Sequence, residues 1–307
     1  MDRVNIIMAT YQGEKYLREQ LDSILQSEGV DYMISVFDDG SKDHTVNIVE
    51  SYQSEHPDKI QFVQNKKNLG HFGNFMQGVV GNPFDYLMFC DQDDVWKPDK
   101  ILKTLACMKQ QEVKYSKETP LVVFTDATIV DENLQMLTPS FHQSGRLNTS
   151  NLDLAHMLME NKMMGCTMML NQAMIQKVNE LPTQARYHDW WLALIAAACG
   201  HIEYLPEQTM LYRQHGDNVV GNLSFLDYVK NRLNNISKQK HAIQETIRQA
   251  EELNRIYGKT LSKESKELLE HFVELGGSGF IRRRYLLLKY GFLKSGIVRN
   301  IGLFVLI

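Results

Sequence analysis

Four times in the first 110 or so residues, a short apolar run ends in a polar loop and gives way to a helical pattern. The runs are Val4 to Ala9, Tyr32 to Phe37, Lys59 to Gln64 and Tyr86 to Cys90. Apolar residues then recur at helical spacing, as in Leu17, Leu21 and Ile24, or Phe72, Phe75, Met76 and Val79. Leu121 to Thr125 is a fifth run. Strands alternating with helices predict a mostly parallel sheet covered on both faces. In such a sheet the loops after the strands share one rim, which is where open α/β sheets bind ligands.

Beyond Asp126 the alternation stops. Ala127 to Leu137 predicts a hairpin turning at Asp131-Glu132-Asn133, Met163 to Leu170 a strand, and Tyr187 to Gly200 a strongly apolar helix. From Leu223 to Tyr257 the pattern is helical, and a further helix over Ser262 to Leu275 precedes a glycine hinge at 276–279. These shifts predict an α/β catalytic domain over 1–220 and a helical C-terminal region over 221–307.

The chain has 307 residues and a net charge of −4, so no global basic field points to nucleic acid. Cys90, Cys107, Cys166 and Cys199 are scattered among apolar residues, which predicts reduced, buried thiols rather than a disulfide or zinc framework. A strand-like pattern begins at Val4, so no signal peptide is expected and the enzyme-like part is expected in the cytoplasm.

The loop after the fourth run carries Asp91, Asp93 and Asp94. Three carboxylates so close repel one another unless a cation shares the space, and oxygen ligands suit Mg²⁺ or Mn²⁺. A metal held by one or two carboxylates and by phosphate is how proteins hold a nucleoside diphosphate. A solvated acidic loop capping the helix after Pro98 is the competing reading. A dinucleotide-dependent oxidoreductase would need G-x-G-x-x-G after the first strand, and that pattern is absent.

Three elements together, Thr10-Tyr11-Gln12-Gly13-Glu14-Lys15-Tyr16-Leu17, Asp38-Asp39-Gly40-Ser41 and Asp91-Gln92-Asp93-Asp94-Val95-Trp96, resemble a family 2 glycosyltransferase with a GT-A fold. Gly165-Cys166-Thr167, His188-Asp189-Trp190-Trp191 and Tyr212-Arg213-Gln214-His215-Gly216 resemble the bacterial rhamnosyltransferase branch. The resemblance implies an inverting, metal-dependent transferase that moves a sugar, L-rhamnose from dTDP-β-L-rhamnose or another sugar from a UDP donor, onto a cell-surface glycan, commonly on a lipid carrier. It implies that Asp39 reads the pyrimidine base, with Ala9, Tyr11, Asn68, Gly70, Asp91 and Gln92 around the nucleotide-sugar. It makes Asp93, with His215, the metal ligands for Mn²⁺ or Mg²⁺, and Asp189 the base that deprotonates the acceptor hydroxyl. Trp190 and Trp191 would give the acceptor sugar an apolar platform. Read from the residues alone, Asp39 also suits a turn, Asp189 a helix cap and His215 a hydrogen-bonded loop position. A scaffold that binds glycan without turnover would not need a base and a metal together.

From Phe280 to Ile307 the chain carries six Arg and Lys and no acid, interleaved with Leu, Ile, Phe and Tyr. No apolar stretch approaches the ~20 residues that span a bilayer. An interfacial segment on an anionic membrane surface, at the inner face of the cell membrane, is therefore expected.

Overall fold

The computed structural model describes residues 2–215 and 236–307. The expected domain boundary at 220, the Gly216 end of the Tyr212 element and the first part of the helix expected from Leu223 lie outside the described residues. The chain forms two compact units, each assembled from separated segments: Met1–Phe141, Met163–Leu181 and Gly200–Gly216 in the first, His142–Lys162, Pro182–Cys199 and Asp217–Ile307 in the second. The division by contact thus differs from a single cut near 220. Two segments that precede that point belong with the C-terminal helices.

The first unit is built on a mixed sheet. Its strands are β1 (Arg3–Thr10), β2 (Asp31–Asp38), β3 (Ile60–Gln64), β4 (Tyr86–Cys90), β5 (Val95–Trp96), β6 (Leu121–Val130), β7 (Met136–Thr138), β8 (Met168–Asn171) and β9 (His201–Arg213). Their order is β3-β2-β1-β4-β8-β6-β9-β5, with β7 paired to β6. β3, β2, β1 and β4 are parallel neighbours, as the alternation predicts. The helices that follow them are α1 (Leu17–Leu25), α2 (Thr45–Glu55), α3 (Gly70–Met76) and, beyond β5, α4 (Lys100–Tyr115). All five residues of β4 are buried, as expected of a strand covered on both faces. Val4, Ile6, Met8, Ile34, Val36 and Met88 join Leu17, Leu21 and Ile101 in one apolar cluster. The hairpin predicted after Asp126 is present: Asp131 Oδ1 accepts from the N–H groups of Asn133 and Gln135, turning β6 into β7. β9 runs parallel to β6 and antiparallel to β5, which brings residues 210–213 back to the loop after β4.

The second unit is helical among its described residues. α5 (Phe141–Ser144), of which only Phe141 lies in the first unit, and α6 (Leu154–Met159) precede β8, which α7 (Gln172–Lys177) follows in the first unit. α8 (His188–Cys199), α9 (Ile236–Tyr257), α10 (Lys263–Gly277), α11 (Phe280–Tyr290) and α12 (Ile297–Leu306) complete the chain. α8 is buried almost all round, so it is a core helix of this unit. Thr183 and Arg186, just before it, are tied to α9 through Glu252 and Gln249. The expected glycine hinge at 276–279 is shorter than predicted: Gly276 and Gly277 belong to α10, and only Ser278 and Gly279 separate it from α11. Gly291 ends α11 in the left-handed region (φ 69°), and the Phe292 N–H closes on Leu287 O. No described helix is long and apolar enough to cross a membrane.

Candidate active site

β1 to β4 end side by side, and their C-terminal loops build one polar rim in the first unit. Asp38, the last residue of β2, is fully buried and spends its acceptors on the local turn. Its Oδ1 accepts from Thr10 Oγ1 (3.1 Å) and from the Ser41 hydroxyl, and its Oδ2 from the N–H groups of Gly40 (3.0 Å) and Ser41 (2.9 Å). It is a turn residue.

Asp39 instead organises the loop after β3. Its Oδ1 accepts from Asn65 Nδ2 (3.0 Å) and the Leu69 N–H (2.7 Å), its Oδ2 from the Gly70 N–H (2.8 Å). Asn68 Nδ2 donates to the Asp39 carbonyl (3.0 Å). Gly70 sits at φ +71°, a conformation that costs a residue with a Cβ roughly 1–2 kcal/mol. Asp39, Asn68 and Gly70, predicted to share a site, are therefore in direct contact. A carboxylate oxygen accepts about two hydrogen bonds, so Oδ2 retains capacity for one more donor.

The loops after β1 and β4 are locked together by Gln92. Its Oε1 accepts from the Tyr11 N–H (2.9 Å), and its Nε2 donates to the Tyr11 carbonyl (3.0 Å). Both ends of the amide are thus engaged with backbone, which makes Gln92 a clamp on the site's floor. A Cβ on Gly13 would lie 2.2 Å from Gln92 Oε1, so any larger residue there displaces the Gln92 amide from its present position. Ala9 is half-buried in β1, while the Tyr11 ring is 51% exposed.

The acidic loop meets the end of β9. His215 Nε2 lies 2.8 Å from Asp93 Oδ2, and its ring stacks on Tyr16 with 5.1 Å between centroids. Arg213, two residues earlier, is 2% exposed. Its Nε donates to the Asp93 carbonyl (2.8 Å), Nη1 to the Glu132 carbonyl (2.7 Å) and Nη2 to the Glu19 carboxylate. Its guanidinium also lies over the Tyr16 ring, 4.5 Å from the centroid. Its N–H donates to Asp94 Oδ1 (3.1 Å). One buried arginine thus fixes both the acidic loop and the strand that delivers His215. The sequence reading gave Arg213 no role; the signal for it was its position two residues from His215, at strand spacing.

Burial and the neighbouring Asp91 charge raise the Asp93 pKa, against the opposing pull of His215. Burial, then Asp93 and Asp91, push Asp94 well up, against the Arg213 N–H and the Lys100 charge. Lys100 is itself fully buried and lowered to about 8 by desolvation. Its ammonium donates to Thr209 Oγ1 (3.1 Å) and lies 4.7 Å over the Trp96 ring. A concentration of acid whose ionised forms are disfavoured is the electrostatic state that a divalent cation relieves.

The donor set fits such a cation. Asp93 and His215 already place an oxygen and a nitrogen 2.8 Å apart, and half-buried Asp91 stands two residues from Asp93 in the same loop. Asp94 Oδ2 is buried without a hydrogen-bond partner among the described residues. Asp91, Asp94 and Cys166 also offer atoms within 4.8 Å of one another. Burial, then the Asp94 and Asp91 charges, push the Cys166 thiol well up. Oxygen and imidazole donors suit Mn²⁺ or Mg²⁺.

Asp189 lies in the second unit, in the first turn of α8. Its Oδ2 accepts from Asn161 Nδ2 (3.0 Å) and its Oδ1 from the Trp190 N–H (2.6 Å), while the residue stays half-buried. The tryptophans do not form the expected sugar platform. Trp191 is fully buried, 6.4 Å from the Tyr257 ring between centroids. Trp190 is 5% exposed, and its Nε1 donates to the Met157 carbonyl (2.7 Å). Both are committed to the core of their unit, because α8 is apolar on every side.

Residues 5–170 match the model of the Glycosyl transferase family 2. The chain is a family 2 glycosyltransferase. It is 31% identical over 237 residues to the dTDP-rhamnosyl transferase RfbG of Shigella flexneri, covering 71% of this chain and 75% of that protein. An uncharacterized glycosyltransferase of Nostoc is 26% identical over 70% of this chain, which spans 66% of that relative. Among solved structures, Staphylococcus aureus TarS residues 1–349 with UDP-GlcNAc superposes with a TM-score of 0.58 at 14% identity, over 94% of this chain and 80% of TarS 1–349. The mannosyltransferase PcManGT of Pyrobaculum calidifontis, with GDP-Man and Mn²⁺, gives 0.52 at 15% identity, over 99% and 78% of the two chains. These likenesses establish the GT-A fold for the family 2 enzyme.

Proposed function

We propose that this glycosyltransferase moves L-rhamnose from dTDP-β-L-rhamnose onto a hydroxyl of a growing, lipid-linked cell-surface glycan, with inversion at the anomeric carbon. The observation that carries the donor is the 31% identity to a dTDP-rhamnosyl transferase over most of both chains. A UDP-sugar is the second reading, favoured by the likeness to TarS in complex with UDP-GlcNAc.

In this reading the spare acceptor capacity of Asp39 Oδ2 takes the ring N–H of the pyrimidine, beside Tyr11, Ala9, Asn68 and Gly70. Gln92 holds the Tyr11 backbone at the ribose side. Asp91, Asp93 and His215 would hold Mn²⁺ or Mg²⁺, which offsets the charge that grows on the departing nucleoside diphosphate. Arg213 keeps those residues in place. Asp189, oriented by Asn161, accepts the proton of the attacking acceptor hydroxyl.

The chain works at the cytoplasmic membrane surface in the same reading. α11 and α12 expose Ile281, Tyr285 and Leu288, and Ile297, Ile301 and Val305, at helical spacing among basic residues. An Arg284 guanidinium bond to the Phe304 carbonyl joins the two helices.

Thermal shift and turnover with dTDP- and UDP-sugars, each with Mn²⁺, Mg²⁺ or EDTA, test the donor and the metal, since the true donor raises stability by linkage. Turnover with a UDP-sugar and none with dTDP-rhamnose would replace the first reading by the second. Sedimentation with phosphatidylglycerol vesicles at low salt tests the membrane arm. A protein left in the supernatant would remove it.

A further inference from the structure

The second unit contains a cavity of about 500 Å³ that the transfer reaction does not use. That volume lies within the roughly 300–1,000 Å³ typical of small-molecule pockets. Its walls are α9, α10 and α12, with Trp190 and Met159 as further apolar surface. Val298, Ile301, Gly302 and Val305 of α12 line it at i, i+3, i+4 and i+7, so one face of that helix forms a wall.

Two properties of the lining point to its occupant. First, the apolar wall continues to the surface. Val298, Ile301 and Val305 are 48%, 60% and 75% exposed while lining the cavity. Apolar side chains left in water at a cavity's mouth mark a binding surface. Second, the described lining holds Arg186, Lys238, Lys294 and Arg299 and no acid. Arg186 and Arg299 pair with Glu245 and Glu160, and Lys238 and Lys294 add two more positive charges. An apolar hollow with a basic lining complements a hydrocarbon chain that carries an anionic head.

We infer that this cavity takes the hydrocarbon chain of a membrane lipid phosphate, with the phosphate held by the basic residues of its lining. The inference rests on the reading of α11 and α12 as a membrane-facing surface. It adds a lipid-chain site to that surface. Each further CH₂ buried adds to binding, so a longer chain binds more tightly.

Gly302 provides the test. A Cβ there meets nothing within 4 Å and its φ is not positive, so Gly302→Leu should fill space without a clash. Leucine also favours the helix over glycine. The probe is dodecyl phosphate with a bromine near the chain end, read by quenching of Trp190, which lines the cavity. The intact protein should show saturable quenching that weakens as the chain is shortened to octyl phosphate. Gly302→Leu should lose at least about tenfold in affinity while melting at or above the wild-type temperature. Dodecanol should bind more weakly than the phosphate, and Lys294→Glu should erase that difference.

Vesicle sedimentation separates this inference from the one on which it rests. Gly302→Leu should still sediment with phosphatidylglycerol, because the exposed rows are unchanged. Wild-type sedimentation without any quenching would overturn the chain site and leave the membrane reading standing. Quenching without sedimentation would keep the site and overturn the membrane reading. Absent quenching together with a lower melting temperature for Gly302→Leu would mean that the protein's own chain fills the cavity, and the inference would fail.

Discussion

His215 Nε2 stands 2.8 Å from Asp93 Oδ2, joining the end of β9 to the acidic loop after β4 across 122 positions of sequence. Without a cation, the imidazole and the carboxylate satisfy each other. In the proposed reaction, the same two atoms would hold the divalent cation. Asp93→Asn keeps the shape and removes a charge, so nucleotide titrated in Mn²⁺ should bind at least about tenfold more weakly and transfer should fall below detection. His215→Ala should weaken Mn²⁺-dependent binding less, because a carboxylate pair remains. Calorimetry with and without EDTA checks both. Full activity of Asp93→Asn would remove the metal assignment.

Asp189 acts on the acceptor in the proposed reaction, so its loss should leave a different signature. Asp189→Asn should bind donor as the wild type does and transfer at least about 100-fold more slowly, the usual worth of a positioned base. Single-turnover kinetics at saturating donor read this directly. A variant with weakened donor binding and an unchanged rate constant would place the residue on the wrong side of the reaction.

Gly13 is fixed by a neighbour rather than by its backbone angle. Gly13→Ala forces a Cβ to 2.2 Å from Gln92 Oε1, which breaks the Gln92 clamp on Tyr11. The expected outcome is a stability loss of about 1–3 kcal/mol, typical of overpacking, and a raised KM for donor. Adding Gln92→Ala removes the clash. The double variant should therefore be more stable than Gly13→Ala alone, a non-additivity that denaturant melts would show.

Glu252 accepts from the Thr183 N–H (2.7 Å) and hydroxyl (3.0 Å), and from Arg255 Nε (2.8 Å). The Arg255 bond, chiefly, holds its carboxyl down at about 2, against a usual 4.5. A depressed folded-state pKa contributes stability that is full above about 4.5 and is lost as pH falls toward 2. The wild-type advantage over Glu252→Gln in melting temperature should therefore shrink through that window and stay constant from pH 6 to 8. An advantage that persists at pH 2 would remove this linkage.

The parallel half of the sheet was legible because β1, β2 and β4 are largely apolar and each of its strands ends in turn chemistry. The convergence of Asp39, Asn68, Gly70, Asp91 and Asp93 on one rim follows from that topology. β5 was not legible. Two residues, Val95 and Trp96, carry no period, and they are a strand only because Leu211 and Met210 lie opposite. β9 was not legible either: it runs through Pro206, and its pairing with β6 shifts register around Asp126. The tryptophan platform failed for a reason visible in hindsight. A helix as uniformly apolar as Leu192 to Ala198 has no solvent face, so Trp190 and Trp191 had to be core. The role of Arg213 is not legible because two of its partners are main-chain carbonyls, at Asp93 and Glu132, and its carboxylate partner Glu19 lies 194 positions away.

The segment that bears Asp189 depends on bonds to residues more than sixty positions later: Thr183 to Glu252 and Arg186 to Gln249. A chain leaving the ribosome therefore completes β1 to β4 and their loops well before it can finish the surroundings of Asp189. In the proposed reaction, donor recognition and acceptor activation would mature in that order, and a prematurely terminated chain would keep the first without the second.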